Sequence, residues 1–279
     1  MFSEKYGYRQ EKVIQHEWIS DELRHRIWNL FYRQEIQAGG LASKRLSQAL
    51  NGEATLEEKI VDRMGFLIDP ASKDFTAEAQ LKSNILRYFS WFEVYDFIDI
   101  HLSFLVEDDR VKRIEQYNQL LEQEKAGYRI VAGEVAPITN ESEIRAVEQA
   151  ASTPYQSVNQ HIKKALVLYA DIKTPDYENS VKESISAVEA LCCIITGMSG
   201  AQATLGAAIK KLKDRDVHIH SAMEKAFLAL YGYTSDENGI RHGGIDFASV
   251  PAEDAKYMLI SCSAFVNFLI EKWSKVAQQ

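Results

Sequence analysis

Helix breakers are scarce in this chain: 14 glycines and 5 prolines in 279 residues. A β-sandwich or barrel spends such residues at every turn between short strands, whereas a helical bundle does not. The stretches between breakers carry apolar residues three and four apart, the spacing that puts them on one helix face. The expected fold is therefore mainly α. Ser20 precedes Asp21 and Glu22 and a stripe of Leu23, Ile27, Leu30 and Phe31, with Gly39-Gly40 as its stop; a serine oxygen accepts the free amides of a first turn, and acids suit the positive end of the helix dipole. Thr55 and Glu58 form a capping box ahead of Ile60, Val61 and Met64. Asp69-Pro70 interrupts the chain, and Thr76 caps a segment through Leu81, Ile85, Leu86, Phe89 and Phe92. The aromatic density from Tyr88 to Phe104 predicts the core of this half, in one bent helix or two abutting ones. A charged helix follows from about 109 to 125, with Val111, Ile114, Tyr117 and Leu121 on one face and Gly127 closing it.

The pattern changes once. Tyr128 to Val131 and Val135 to Ile138 flank Ala132-Gly133-Glu134; β-rich runs around a glycine turn read as a hairpin. Asn140 then starts another capped helix. This division gives an N-terminal helical domain over 1–126, a hairpin and connecting helix over 127–150, and a helical domain over 151–279. In the last, Thr153-Pro154 and Thr174-Pro175 read as caps followed by first-turn prolines. Val181, Ile185, Val188, Leu191, Cys192 and Ile195 form a stripe ended by Gly197; Leu205, Ile209 and Leu212 form a shorter one. Ser221 to Glu224 reads as the cap of a helix carrying Ala226, Phe227 and Leu230. The final helix starts near Pro251 and runs from Ala255 to Trp273 at spacings of three and four.

Lys+Arg number 32 and Asp+Glu 40, a net charge of −8, which argues against a uniformly basic nucleic-acid coat but not against a local basic site. No basic region followed by an apolar run opens the chain, and no stretch of about 18 apolar residues is free of charges. Cys192, Cys193 and Cys262 lie in apolar surroundings and read as reduced core thiols. The expectation is a cytoplasmic protein with no membrane contact. Cofactor and metal motifs are missing: Gly197-Met198-Ser199-Gly200 lacks the Lys-Ser/Thr of a phosphate loop, and His218-Ile219-His220 offers two imidazoles without a third ligand.

The chemistry-bearing segment is Tyr231 to Gly244, between two amphipathic helices. Arg241 offers a permanent guanidinium fork for phosphate, and His242 an imidazole of ordinary pKa about 6.5. Together they meet the minimum for metal-free RNA cleavage: a proton carrier and a cation for the pentavalent phosphate. Asp236, Asn238 and Gly239 read as support for the loop. The alternative is that Arg241 pairs with a carboxylate of the 175–197 helix.

Pro175 to Leu191, Thr234 to Gly243 and Met258 to Phe265 resemble abortive-infection proteins of the AbiJ type, and Phe2 to Tyr8 is similar to the start of the N-terminal domain those proteins carry. The resemblance implies a C-terminal bundle like those of the HEPN superfamily. Many HEPN members are metal-independent endoribonucleases acting in phage defence or toxin–antitoxin pairs, commonly as homodimers with the active sites facing across the interface. It therefore implies an RNA substrate, a homodimer, and control by a phage trigger or an antitoxin. The usual HEPN pattern is an Arg, four to six residues, then a His; here Arg241 and His242 are adjacent. Adjacent side chains on a helix or strand diverge, so only an irregular loop aims both at one phosphate. Glu183 or Glu189 would be the third polar member. Six residues separate them, about 240° around an ideal helix, so at most one faces the loop. Glu189 sits between Val188 and Ala190, close to the stripe, which leaves Glu183 slightly better placed. RNA binding against the overall negative field would need a local patch, for which Arg241 and Lys210, Lys211, Lys213 and Arg215 are the candidates. The adjacency also admits a different class: a non-catalytic HEPN-like dimerisation or scaffold module, or a nucleotide-sensing module that uses Arg241.

Overall fold

The computed structural model describes residues 12–37, 53–66, 76–171, 174–199, 205–235 and 250–276. Among them are eleven α-helices and one two-stranded hairpin, and the chain divides into two compact units, 1–137 and 138–279. No helix of the described residues is long and apolar enough to cross a membrane.

In the first unit, α1 (Asp21–Phe31) starts where expected: the Ser20 hydroxyl accepts from the Leu23 amide. It runs directly into a π-helical turn, Tyr32–Gln37. α2 (Leu56–Arg63) has the reciprocal capping box of Thr55 and Glu58. Thr76 caps α3 (Ala77–Ser83), which continues as a second π-helical turn, Asn84–Tyr88. The aromatic segment is two helices, because Phe89 is extended and Ser90 with Glu93 caps a new one, α4 (Trp91–Ser103). Phe89, Tyr95 and Phe97 are buried as expected, but Tyr88, Phe92 and Phe104 are exposed. α5 (Glu107–Gln123) buries Tyr117, Leu120 and Leu121; Val111, expected on the same face, is exposed. Gly127 does not end this helix by its own conformation. The left-handed residue is Lys125 (φ 52), while a Cβ on Gly127 would stand 2.7 Å from the Gln15 carbonyl oxygen. Glycine is required there because residues 15 and 126 pair as an isolated bridge.

The hairpin is β1 (Arg129–Val131) and β2 (Glu134–Ala136), antiparallel with Ile130 opposite Val135. Ala132 and Gly133 both have positive φ, the two-residue turn whose twist matches the strands. Asn118 of α5 grips the hairpin by accepting from the Ile130 amide and donating to its carbonyl, both at 2.8 Å. The hairpin packs within the first unit.

The second unit begins with α6 (Glu141–Ala151), capped by Asn140. α7 (Gln156–Ala170) and α8 (Tyr177–Thr196) follow. Neither Thr–Pro pair caps its helix. Thr153 instead exchanges hydrogen bonds with Asn159, and Thr174 donates to Asp171; Tyr155 and Asp176 are the residues at the two N-caps. The predicted stripe of α8 is buried throughout. α9 (Leu205–Leu212), a 3₁₀ turn (Lys213–Arg215), α10 (Ser221–Ser235) and α11 (Ala252–Val276) complete the unit. Ser221 lies inside α10; His220 Nδ1 accepts from the Ala222 amide in the capping role.

Gly197 ends α8 in the left-handed conformation (φ 69). A side chain there is strained by about 1 kcal/mol. Gly197→Ala is therefore expected to lower the stability of the second unit by that amount in a denaturant titration, without loss of helix content.

Candidate functional site

α7 and α8 pack antiparallel through small residues. Ser180 and Ala165 are fully buried, and the Ser180 hydroxyl donates to the Ala165 carbonyl at 2.8 Å. This close approach sets three side chains side by side on the outside of the pair. His161 Nδ1 lies 2.7 Å from one Glu183 oxygen and Lys164 Nζ 2.5 Å from the other. A carboxylate only accepts, so Nδ1 carries the proton and Nε2 is the basic nitrogen of the ring. Burial pushes the Glu183 carboxyl up, but the hydrogen bonds from Lys164 and His161 outweigh it and hold it below the usual range. With Lys164 63% exposed, the group is a surface clasp between α7 and α8. The His161–Lys164 spacing of three on an amphipathic helix carried this signal in the sequence; its partner was identifiable only from the packing of α7 on α8.

Glu189 stands apart from this cluster. The buried face of α8 is bordered by Glu183 on the side of α7 and by Glu189 on the other. Ile185, one turn before Glu189, lines a small apolar cavity with Val188, Phe227 and Tyr231 of α10 and Met258 and Cys262 of α11. Glu189 thus borders the face that meets α10 and α11. Phe227 stacks on Phe265 and closes the two helices on each other.

Arg241, His242, Asp236, Asn238 and Gly239 lie outside the described residues. The described chain leads into that segment at Ser235 of α10 and out of it at Val250, which is buried. The basic patch divides. Lys210 and Lys211 are exposed, whereas Lys213 pairs with Glu224 at 3.0 Å and Arg215 donates to the Thr196 carbonyl at the negative end of α8.

The thiols are disfavoured as nucleophiles. Burial pushes Cys192 and Cys262 up to about 12, and Cys193 is raised by burial and by Glu189. His218 and His220 are exposed, and no group of metal-ligating side chains converges among the described residues.

The first unit holds a second polar assembly, buried rather than exposed. Arg113 donates to Glu35 at 2.6 Å and to Gln116; His101, fully buried, meets the Tyr117 hydroxyl at 3.0 Å through Nδ1 and lies 3.3 Å from Glu35 through Nε2. That last approach lacks hydrogen-bond alignment.

Eleven helices among the described residues, a hairpin in the first unit and two glutamates on opposite borders of α8 in the second make the architecture on which the comparisons bear. Residues 1–153 match the family model AbiJ N-terminal domain 4. The chain belongs to that family, which places it among abortive-infection defence proteins. No curated protein and no solved structure gives a significant match.

Proposed function

We propose that this defence protein is an effector whose second unit is a metal-independent, HEPN-type endoribonuclease, working as a homodimer. The reading is supported by one arrangement above all: α10 and α11, the helices that bracket the Arg241–His242 segment, close over the same cavity against α8, beside the border that carries Glu189. A segment held at both ends by packed helices is where site residues are affordable in a fold.

The chemistry needs two groups. The His242 imidazole takes the proton of a ribose 2′-hydroxyl, and the oxygen attacks the adjacent phosphorus. The bond from phosphorus to the 5′ oxygen breaks, and that oxygen receives a proton from the imidazolium. Arg241 balances the charge on the pentavalent phosphate with its planar fork. In this reading Glu189, on the border of α8 toward α10 and α11, is the carboxylate that orients one of them. Lys210 and Lys211 are the exposed cations of the basic patch that remain for the RNA backbone.

The test is incubation of the purified chain with transfer and messenger RNA in a chelator. Fragments ending in 2′,3′-cyclic phosphate and beginning with 5′-hydroxyl are expected. Intact RNA, together with an Arg241→Ala/His242→Ala pair that still protects cells from phage, defeats the proposal.

A further inference from the structure

The groove between α1 and α5 in the first unit plays no part in that chemistry. The two helices run antiparallel: Arg26 reaches Gln123 and Glu124 at one end, and Arg113 reaches Glu35 at the other. Facing helix surfaces inside a domain ordinarily bring apolar residues together. Here α5 presents Gln116, Gln119 and Gln123 at helical spacing, with Leu120 as the single apolar member. α1 and the π-helical turn oppose them with Arg26, Asn29, Arg33 and Gln34, and with Leu30 as their single apolar member. The helices enclose about 340 Å³ between these faces, the size of a small-ligand site.

Three features give the groove a chemical preference. First, no carboxylate of the described residues lines it, in a chain of net charge −8. Two flanking acids are already paired, Glu124 with Lys12 and Arg26 and Glu35 with Arg113. Second, the amides are oriented. A guanidinium only donates, so Gln123 and Gln116 must turn their oxygens to Arg26 and Arg113 respectively, which leaves their NH₂ groups as donors. Third, Arg33 is exposed, makes no ion pair with any described residue, and sits with Gln34 in a π-helical turn, a rare widening often found at functional sites. The groove thus offers donors and a fork for phosphate above a Leu30–Leu120 floor.

We infer that this groove binds a nucleoside phosphate, with the phosphate on Arg33, the base face on the two leucines and a base edge on the glutamine amides. The site is independent of the nuclease proposal. The experiment is calorimetric titration of the full chain with the four nucleoside mono- and triphosphates, adenosine, inorganic phosphate and a single-stranded RNA hexamer. At least one nucleotide is expected to bind saturably, with adenosine weaker by about tenfold or more for want of the charge-assisted contact. Arg33→Glu and Gln119→Glu, both at exposed positions, should each weaken it by about tenfold or more with unchanged melting. Arg241→Ala/His242→Ala should bind as wild type, which separates this result from the fate of the nuclease. Failure of every nucleotide to bind, equal binding of adenosine, binding of the hexamer alone, or indifference to both substitutions overturns the inference.

Discussion

Replacing His242 by alanine is expected to slow RNA cleavage by about 10²–10⁴-fold, the usual worth of a positioned general acid–base group. Arg241→Ala should lose about 10²–10³-fold, since in the proposed mechanism it removes the cation that balances the charge developing at phosphorus. Arg241→Lys should recover only part of this, because an ammonium keeps the charge but not the bidentate fork. In cells, overexpressed wild type is expected to arrest growth and each variant to relieve that arrest, with RNA integrity as the readout. The carboxylates supply the contrast. Glu189→Gln should reduce the rate, whereas Glu183→Gln should loosen the α7–α8 clasp and leave the rate near wild type. A Glu183→Gln rate loss as deep as that of His242→Ala would move the centre of the site to the His161–Glu183–Lys164 group.

The largest stability effect is expected at Glu35. Its carboxylate is the acidic partner of Arg113 among the described residues, and Arg113 is 7% exposed beside the fully buried His101 and Tyr117. Glu35→Ala leaves that guanidinium buried without a counter-charge, and removing one member of a buried pair costs about 3–5 kcal/mol. Guanidinium titration of the full chain should show the first unit unfolding earlier by roughly that amount, with the second unit unmoved. Acid should act on the same group. Burial pushes His101 down, with the Glu35 contact opposing it, so the folded ring stays neutral where the unfolded ring charges. The unfolded chain then binds more protons below about pH 6.5, and stability falls as pH drops through that value. Burial pushes Glu35 up, but His101 and Arg113 outweigh it and hold the carboxyl below its usual range. Its contribution is complete above the ordinary carboxyl pKa of about 4.3 and is lost as pH falls below it. A first-unit midpoint that stays constant from pH 7 to pH 4 would contradict this account.

Local signals in the sequence were reliable where the interaction itself is local. The caps at Ser20, Thr55, Thr76 and Asn140 each bond an amide two or three residues away, and all four are present. The hairpin and the stripe of α8 were legible for the same reason. The Thr–Pro pairs misled because Thr153 and Thr174 found stronger partners, in Asn159 and Asp171, than the first-turn amides. Val111, Tyr88 and Phe92 misled because periodicity gives a face but not how much of it another element covers. In the candidate site, the residue types were legible and their partners were not: the two glutamates of α8 were known to diverge, but which neighbour each met depended on α7, α10 and α11.

Scarcity of breakers, spacing of apolar residues and capping side chains determined by themselves that this chain is helical, where most described helices begin, and where the hairpin at 129–136 lies, because each of these depends on hydrogen bonds and dihedrals within a few residues. Tertiary structure alone decided that Glu183 is clasped by His161 and Lys164, that Glu35 neutralises a buried Arg113, and that a groove between α1 and α5 is lined mostly by polar side chains. Those outcomes join residues 19 to 97 positions apart in the chain. Such pairs are selected by packing and desolvation, which no local pattern encodes.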